Sequence, residues 1–112
     1  MSRDIAESDW RVLRELRPLA LERLCERVLD EIRTVSAQAG KTFHERFRAV
    51  YGLIERRNDD IARAFDAPRR SQAFFQLALM QSLELLKPEE LRRFSNETLE
   101  ILRVLTRADD AG

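Results

Sequence analysis

Residues 71–86 have the sequence SQAFFQLALMQSLELL, and this stretch decides the fold class. From Ala73 to Leu86, ten of the fourteen residues are apolar, and they lie on nearly every side of a helical projection. A helix of this kind needs other helices around it, because any open side would expose a wide apolar surface to water. We therefore predict an apolar helix over 71–86 at the centre of an all-α bundle.

The sequence on both sides of this stretch predicts the helices that surround it. Apolar residues recur at spacings of three and four in three further segments, which predicts helices over 19–39, 43–57 and 96–106. Thr42 and Glu45 have the spacing of a capping box, which places the start of the second of these helices at Phe43. Two short helices are expected around 61–65 and 88–94; whether the first of them and the helix over 43–57 are one bent helix stays open. The prediction is a compact bundle of four principal helices plus two short helices.

Local signals predict where the helices begin and end. Ser8 is a favourable N-cap for the first apolar positions, and Gly40 is a favourable left-handed C-cap. Pro18 removes a backbone donor, so we expect a kink or a short break near residues 14–18; whether one helix bends or two are separated stays open. Pro68 is expected in the first turn of the central helix.

Length and composition bound the class of protein. The chain has 112 residues, the size of one domain, and we predict a single helical-bundle domain over 1–112, with residues 1–7 and 108–112 frayed. Cys25 is the only cysteine, so no intrachain disulfide is possible and a reducing compartment is expected. The charged N-terminal stretch does not resemble a secretory signal, and no apolar stretch is long enough to span a membrane. We expect a cytoplasmic protein that makes no membrane contact.

Charge is balanced over the whole chain but not within it. The sequence has 20 basic and 20 acidic residues, which excludes a global attraction to polyanions. Residues 34–70 nevertheless contain eight basic and five acidic residues, a net charge of +3. We predict that the arginines at the end of this segment contact a protein partner or phosphate, unless the neighbouring aspartates neutralise them: Arg56, Arg57, Arg63, Arg69 and Arg70.

Residues 61–71, IARAFDAPRRS, resemble the first helix and turn of a helix-turn-helix motif, with Arg69 and Arg70 at the start of the recognition helix. The resemblance implies a nucleic-acid-binding regulator. The segment departs from the pattern at Asp66, where glycine is usual, and at Gln72, where an apolar residue is usual. The helix that follows is also almost wholly apolar. Nucleic-acid binding is therefore the alternative hypothesis.

Residues suited to catalysis or metal binding are few. His44 lies beside the capping box without a second ligand at helical spacing, and Cys25 lies on the apolar face of a helix. Three carboxylates recur every four residues at Glu22, Glu26 and Asp30, but arginines are interleaved with them, which predicts a solvated and internally paired face. We predict no catalytic residues, no metal site and no cofactor.

The apolar residues themselves are the remaining functional signal. Residues 71–86 are more apolar than one small bundle requires, and aromatic residues dominate the energetics of protein interfaces. Trp10, Phe74 and Phe75 are the candidate apolar interface. The leading hypothesis is a non-enzymatic interaction or regulatory module that self-associates as a homodimer or binds another protein.

Overall fold

The computed structural model describes residues 4–111, with side chains described for residues 4–107, and its architecture is all-α. The elements in chain order are α1 (Glu7–Ser36), α2 (Phe43–Phe65), a short 3-10 helix (Arg70–Gln72), α3 (Ala73–Ser82), α4 (Pro88–Leu91) and α5 (Asn96–Ala111). The predicted all-α bundle with four principal helices is confirmed, and of the two predicted short helices the one around 88–94 is found, as α4. Its principal helices are α1, α2, α3 and α5.

Helix α1 runs without a break through Pro18, so of the two alternatives for residues 14–18 the separation into two helices is wrong. Buried side chains continue across the proline along one face, and their packing holds the helix together where one backbone hydrogen bond is missing: Leu13, Leu16, Ala20 and Leu24. The helix also begins earlier than predicted, because Ala6 occupies the N-cap position and Ser8 lies inside the first turn.

Three other predicted boundaries are wrong. α1 ends at Ser36, and Gly40, with φ +80°, lies in the connection rather than at the helix end. α2 continues past residue 57 to Phe65, so there is no separate short helix over 61–65. Asp66 is the C-cap of α2, and Pro68 precedes the 3-10 helix instead of opening α3. The capping box of Thr42 and Glu45 is confirmed.

The central helix is shorter than the predicted 71–86. α3 covers Ala73–Ser82, and the chain then turns at Glu84, which adopts a left-handed φ of +58°. Two arginines of α1 stabilise this turn: Arg27 Nη1 donates to the Leu83 carbonyl at 2.6 Å, and Arg23 Nη1 donates to the Leu85 carbonyl at 2.8 Å. These long-range hydrogen bonds satisfy carbonyls after the end of α3. The apolar pattern of residues 71–86 does not indicate them, so it could not predict where α3 ends.

One cluster of buried side chains surrounds α3 and includes residues from Ile5 to Leu102. α3 contacts α1, α2 and α5, as a central helix must. Ile5 is buried, and α1 begins at Glu7. The backbone of residues 108–111 is helical, and residues 1–3 and 112 lie outside the described part. The single domain over 1–112 and the fraying of residues 1–7 and 108–112 stay predictions.

The segment after α3 is tied to α1 by an ion pair, which makes stability sensitive to acid. Arg23 donates two hydrogen bonds to the Glu90 carboxylate, at 2.7 and 2.8 Å, and the Glu90 side chain is 13% exposed. The hydrogen bonds from Arg23 lower the pKa of Glu90 to about 2. A carboxyl whose pKa is depressed on folding stabilises the protein above its unfolded pKa of about 4.3, and this contribution is lost as pH falls toward 2.

We expect Glu90→Gln to lower the free energy of unfolding at pH 7 by about 2 kcal/mol, after allowance for solvent screening, and to flatten the pH dependence between about pH 5 and pH 2. Urea denaturation followed by circular dichroism measures both effects. Glu89→Gln is the matched control, because Glu89 is the neighbouring residue, carries the same charge and is exposed. An acid transition unchanged in Glu90→Gln would contradict this role of the ion pair.

Candidate functional site

Helices α1 and α2 form an antiparallel hairpin whose far half extends beyond the core. Arg46 Nη1 donates to the Ser36 carbonyl at 2.9 Å near the turn, and Arg57 bridges the two helices through Glu31. Among residues 25–63, Leu53 is the only one that is buried. The far half therefore consists of two helices that contact each other and little else.

A row of large apolar side chains on α2 is exposed to solvent. Phe43 is 84% exposed, Phe47 is 69% exposed, Tyr51 is 60% exposed and Ile54 is 47% exposed. Their spacing of four, four and three residues places them on one face of α2. The helix begins immediately before Phe43, because the Thr42 hydroxyl accepts from the Glu45 N–H at 3.0 Å and the Glu45 carboxylate accepts from the Thr42 N–H at 2.8 Å.

A second apolar row lies on α1 beside the first. At the turn end of the hairpin, Ser36 shares a groove with Phe43 and Phe47, and at the core end Pro18 shares a groove with Ile61. Between these two grooves α1 carries apolar residues at helical spacing, and Leu29 at the middle is 54% exposed. We call the combined surface the hairpin face; it comprises Leu21, Cys25, Leu29 and Ile32 on α1 and Phe43, Phe47, Tyr51, Ile54 and Ile61 on α2.

Charged residues border the hairpin face on both edges. Along the α2 edge, His44 and Arg48 lie toward the turn end, and Glu55 and Asp59 lie toward the core end. All four side chains are exposed. Among the described residues, none of them makes a hydrogen bond or an ion pair. The edge is therefore basic at one end and acidic at the other.

The α1 edge is acidic at its core end and carries an ion pair at its turn end. Glu22 and Glu26 lie toward the core end and are exposed. Toward the turn end, Arg33 pairs within the helix with the exposed Asp30, at 2.5 Å between Nη1 and Oδ1, so these two residues add no net charge. Both edges are therefore acidic at the core end, and the α2 edge is also basic at the turn end.

Arg57 and Arg63, two of the five predicted contact arginines, pair with carboxylates of α1 and α2. Arg57 donates to Glu31 at 2.9 Å and to Asp60 at 3.0 Å, and Arg63 donates to Asp60 at 2.8 Å. The hydrogen bonds that Arg57 donates to Glu31 and then to Asp60 raise the pKa of Arg57, and the hydrogen bond that Glu31 accepts from Arg57 lowers the pKa of Glu31. These pairs neutralise much of the local positive charge.

The remaining three predicted arginines are exposed. Arg70 pairs with Glu7, and its guanidinium lies 5.7 Å from the centre of the Trp10 ring. Arg56 and Arg69 make no ion pair within the described part of the chain, although the charge of Arg56 contributes to lowering the pKa of Glu31. The five arginines therefore divide into three that are paired and two that are not.

α3 follows the segment that resembles a helix-turn-helix motif, where the recognition helix would stand, and it lies inside the bundle. α3 contacts α1, α2 and α5, and its residues Ala73, Gln76 and Leu77 are buried. A recognition helix must present side chains to the floor of a groove, which an enclosed ten-residue helix does not do. Nucleic-acid binding stays a prediction, and no contact described here favours it.

Of the predicted interface residues, one is exposed. Trp10 and Phe74 are half-buried and pack against the core cluster, whereas Phe75 is 52% exposed. The sequence analysis did not select the aromatic residues of the hairpin face, although their periodicity is plain in the sequence. It placed them on a covered side of a bundle helix, because helical spacing alone does not show whether a neighbouring helix covers that side.

The arrangement suits non-covalent binding. His44 is exposed and Cys25 is half-buried on the hairpin face, and no group of three or more metal-ligating side chains occurs within residues 4–107. None of the described helices is both long enough and apolar enough to cross a membrane. Comparisons with protein-family models, with curated proteins and with solved structures gave no match. The function must therefore be inferred from the hairpin face itself.

Proposed function

We propose that this protein is an interaction module that binds an apolar helical surface through its hairpin face. The observation that carries the proposal is the row of Phe43, Phe47 and Tyr51, each at least 60% exposed on one side of α2. Single exposed apolar residues are ordinary in soluble proteins, but contiguous exposed apolar surface of several hundred Å² marks an interaction site.

The composition of the hairpin face also favours protein binding. Phenylalanine and tyrosine contribute large contact areas at a low cost in side-chain entropy, and arginine beside aromatic rings is enriched at interfaces. The Arg46 guanidinium lies 4.6 Å from the centre of the Phe43 ring, which keeps the ring at the edge of the face. The face is long and shallow, as expected for contact with helices rather than with a small ligand.

Photo-cross-linking in the cell that makes the protein tests the proposal. A benzoylphenylalanine residue at position 47 replaces one exposed aromatic side chain by another and should form covalent adducts with a protein. The same residue at position 56 is the matched control, because Arg56 is exposed on the opposite side of α2. Mass spectrometry identifies the adduct, and the identified protein must then bind the purified chain.

An adduct at position 47 that is absent at position 56 supports the interaction function, whatever the identity of the protein. Absence of any protein adduct at position 47, with the chain folded and expressed at its normal level, would contradict it. Equal adducts at both positions would also contradict it, because they would indicate random collision rather than binding at the hairpin face.

A further inference from the structure

We infer that the occupant of the hairpin face is the hairpin face of a second copy of this chain, packed antiparallel so that the turn end of each copy covers the core end of the other. The two hairpins then form a four-helix bundle at the centre of a symmetric dimer. This inference rests on the proposed function and specifies the partner.

The first argument is positional. Ser36 lies beside Phe43, and Pro18 lies beside Ile61, so Leu29 and Tyr51 fall at the same level of the antiparallel hairpin. On the α2 edge, the change from basic to acidic occurs between Arg48 and Glu55, on either side of Tyr51. On the α1 edge, Glu22 and Glu26 lie on the core side of Leu29, and the Asp30–Arg33 ion pair lies on the turn side. The unpaired acidic residues of both edges therefore lie on the core side of one common midpoint, and the unpaired basic residues of the α2 edge lie on the turn side.

The second argument is charge complementarity. A two-fold axis at this midpoint, in the plane of the interface and perpendicular to the helices, brings the turn end of one copy against the core end of the other. Arg48 then faces Glu55 of the second copy, and His44 faces Asp59. On the α1 edges, Glu26 faces the Asp30–Arg33 ion pair of the second copy, which carries no net charge, so the charge argument rests on the α2 edges.

The parallel alternative fails the same test. A two-fold axis along the helices would place turn end against turn end, so that Arg48 and Arg33 of the two copies would lie together. The acidic core ends would meet as well, with Glu55 near Glu26 of the second copy. The unpaired carboxylates that meet at the core ends oppose association, so the distribution of charge selects the antiparallel arrangement.

The third argument concerns the area of the interface and the small number of buried residues in the hairpin. A face about 27 Å long and about 20 Å wide contributes about 500 Å² from each copy, so a dimer buries about 1,000 Å², near the lower limit for a specific complex. The far half of the hairpin has Leu53 as its only buried residue between positions 25 and 63, and a second hairpin supplies the missing cover. An interface of this size is typical of transient complexes rather than of permanent dimers.

Sedimentation velocity of the purified chain over 1–500 µM, a range chosen to bracket that of typical weak dimers, tests the inference. We expect the weight-average mass to rise with concentration from 13.1 kDa toward twice that value. Phe47→Glu should shift the dissociation constant by at least about tenfold, since it introduces a charge into the apolar centre of the face. Phe75→Glu is the matched control, because Phe75 is an aromatic residue exposed elsewhere, on α3, and this change should leave the equilibrium unchanged.

Charge reversal tests the orientation. Arg48→Glu places like charges opposite each other twice in the antiparallel dimer and should weaken it about fivefold to tenfold. The double variant Arg48→Glu with Glu55→Arg restores opposite charges across the two-fold axis and should return the dissociation constant to within about twofold of the starting value. Circular dichroism confirms that each variant stays folded, as expected for exposed positions.

Three outcomes would overturn the inference: a mass of 13.1 kDa at every concentration, a dimer indifferent to Phe47→Glu, or an Arg48→Glu defect that Glu55→Arg does not repair. The first outcome combined with a cross-link from position 47 to a different protein would overturn the dimer and leave the interaction function standing. The first outcome combined with no cross-link would overturn both.

Discussion

Replacing Asp9 by alanine is expected to lower the free energy of unfolding by about 3 kcal/mol. Asp9 is 2% exposed and its carboxylate accepts three hydrogen bonds: from the Ser95 N–H at 2.9 Å, the Ser95 hydroxyl at 2.6 Å and the Thr98 hydroxyl at 2.7 Å. These bonds attach the start of α5 to the first turn of α1. Alanine removes the acceptor of all three donors, and it leaves the Thr98 hydroxyl, which is buried, unsatisfied in the interior, where such donors are costly.

The ionisation of Asp9 supports this role. Burial raises the pKa of Asp9, but the hydrogen bonds from Ser95 and Thr98 outweigh burial and leave the pKa below its ordinary value. The contribution of Asp9 is therefore present above the unfolded pKa of about 3.9 and is lost as pH falls below it. Urea denaturation at neutral pH measures the loss. Asp4→Ala, at an exposed position nearby, is the control, and equal stabilities of the two variants would contradict the assignment.

Leu77→Ala is expected to cost about 3 kcal/mol, because it opens a cavity at the centre of the bundle. Leu77 is fully buried on α3 and belongs to the core cluster. Little of this loss can be recovered by collapse, since neighbours from three surrounding helices would have to move together. The loss is measured by comparing the urea denaturation of Phe47→Glu with that of the double variant Phe47→Glu with Leu77→Ala. Because Phe47→Glu suppresses self-association, the dimer does not contribute to the measured difference.

Phe75→Ala provides the comparison on the same helix. Phe75 is 52% exposed, so removing its ring should cost less than about 1 kcal/mol although more atoms are deleted than at Leu77. If the two variants lost equal stability, the assignment of the buried and exposed sides of α3 would be wrong. The pair therefore tests how α3 is oriented in the bundle, beyond the fold class alone.

The fold class was predictable because periodicity is a local property. The apolar content of residues 71–86 required surrounding helices, and the capping box at Thr42 placed the start of α2 correctly. The ends of α3 were not predictable, because Arg23 and Arg27 stabilise the turn at residues 83–85 from α1. Pro18 does not divide α1 into two helices for a related reason: packing along the rest of α1 outweighs the local cost of a proline.

The candidate site was predictable only in part. The apolar spacing of residues 43–57 predicted a helix there, and Phe75 was among the predicted interface residues. The sequence does not show which of these apolar residues the other helices of the bundle cover. Coverage depends on where α3 and α5 pack along the hairpin, and the period of one helix contains no such information. The arginines at 56–70 illustrate the same limit, since the carboxylate of Glu31 that pairs with Arg57 lies 26 positions away.

The hydrogen bonds from Arg23 and Arg27 to the turn after α3 also bear on the order of folding. They join residues 62 and 56 positions apart, whereas α1 and α2 are linked by a short connection. Closing the shorter loop costs less entropy, so we expect the α1–α2 pair to form early and the turn at residues 83–85 to take its shape only on that preformed surface. The arginines of α1 thus guide the late docking of the C-terminal third of the chain.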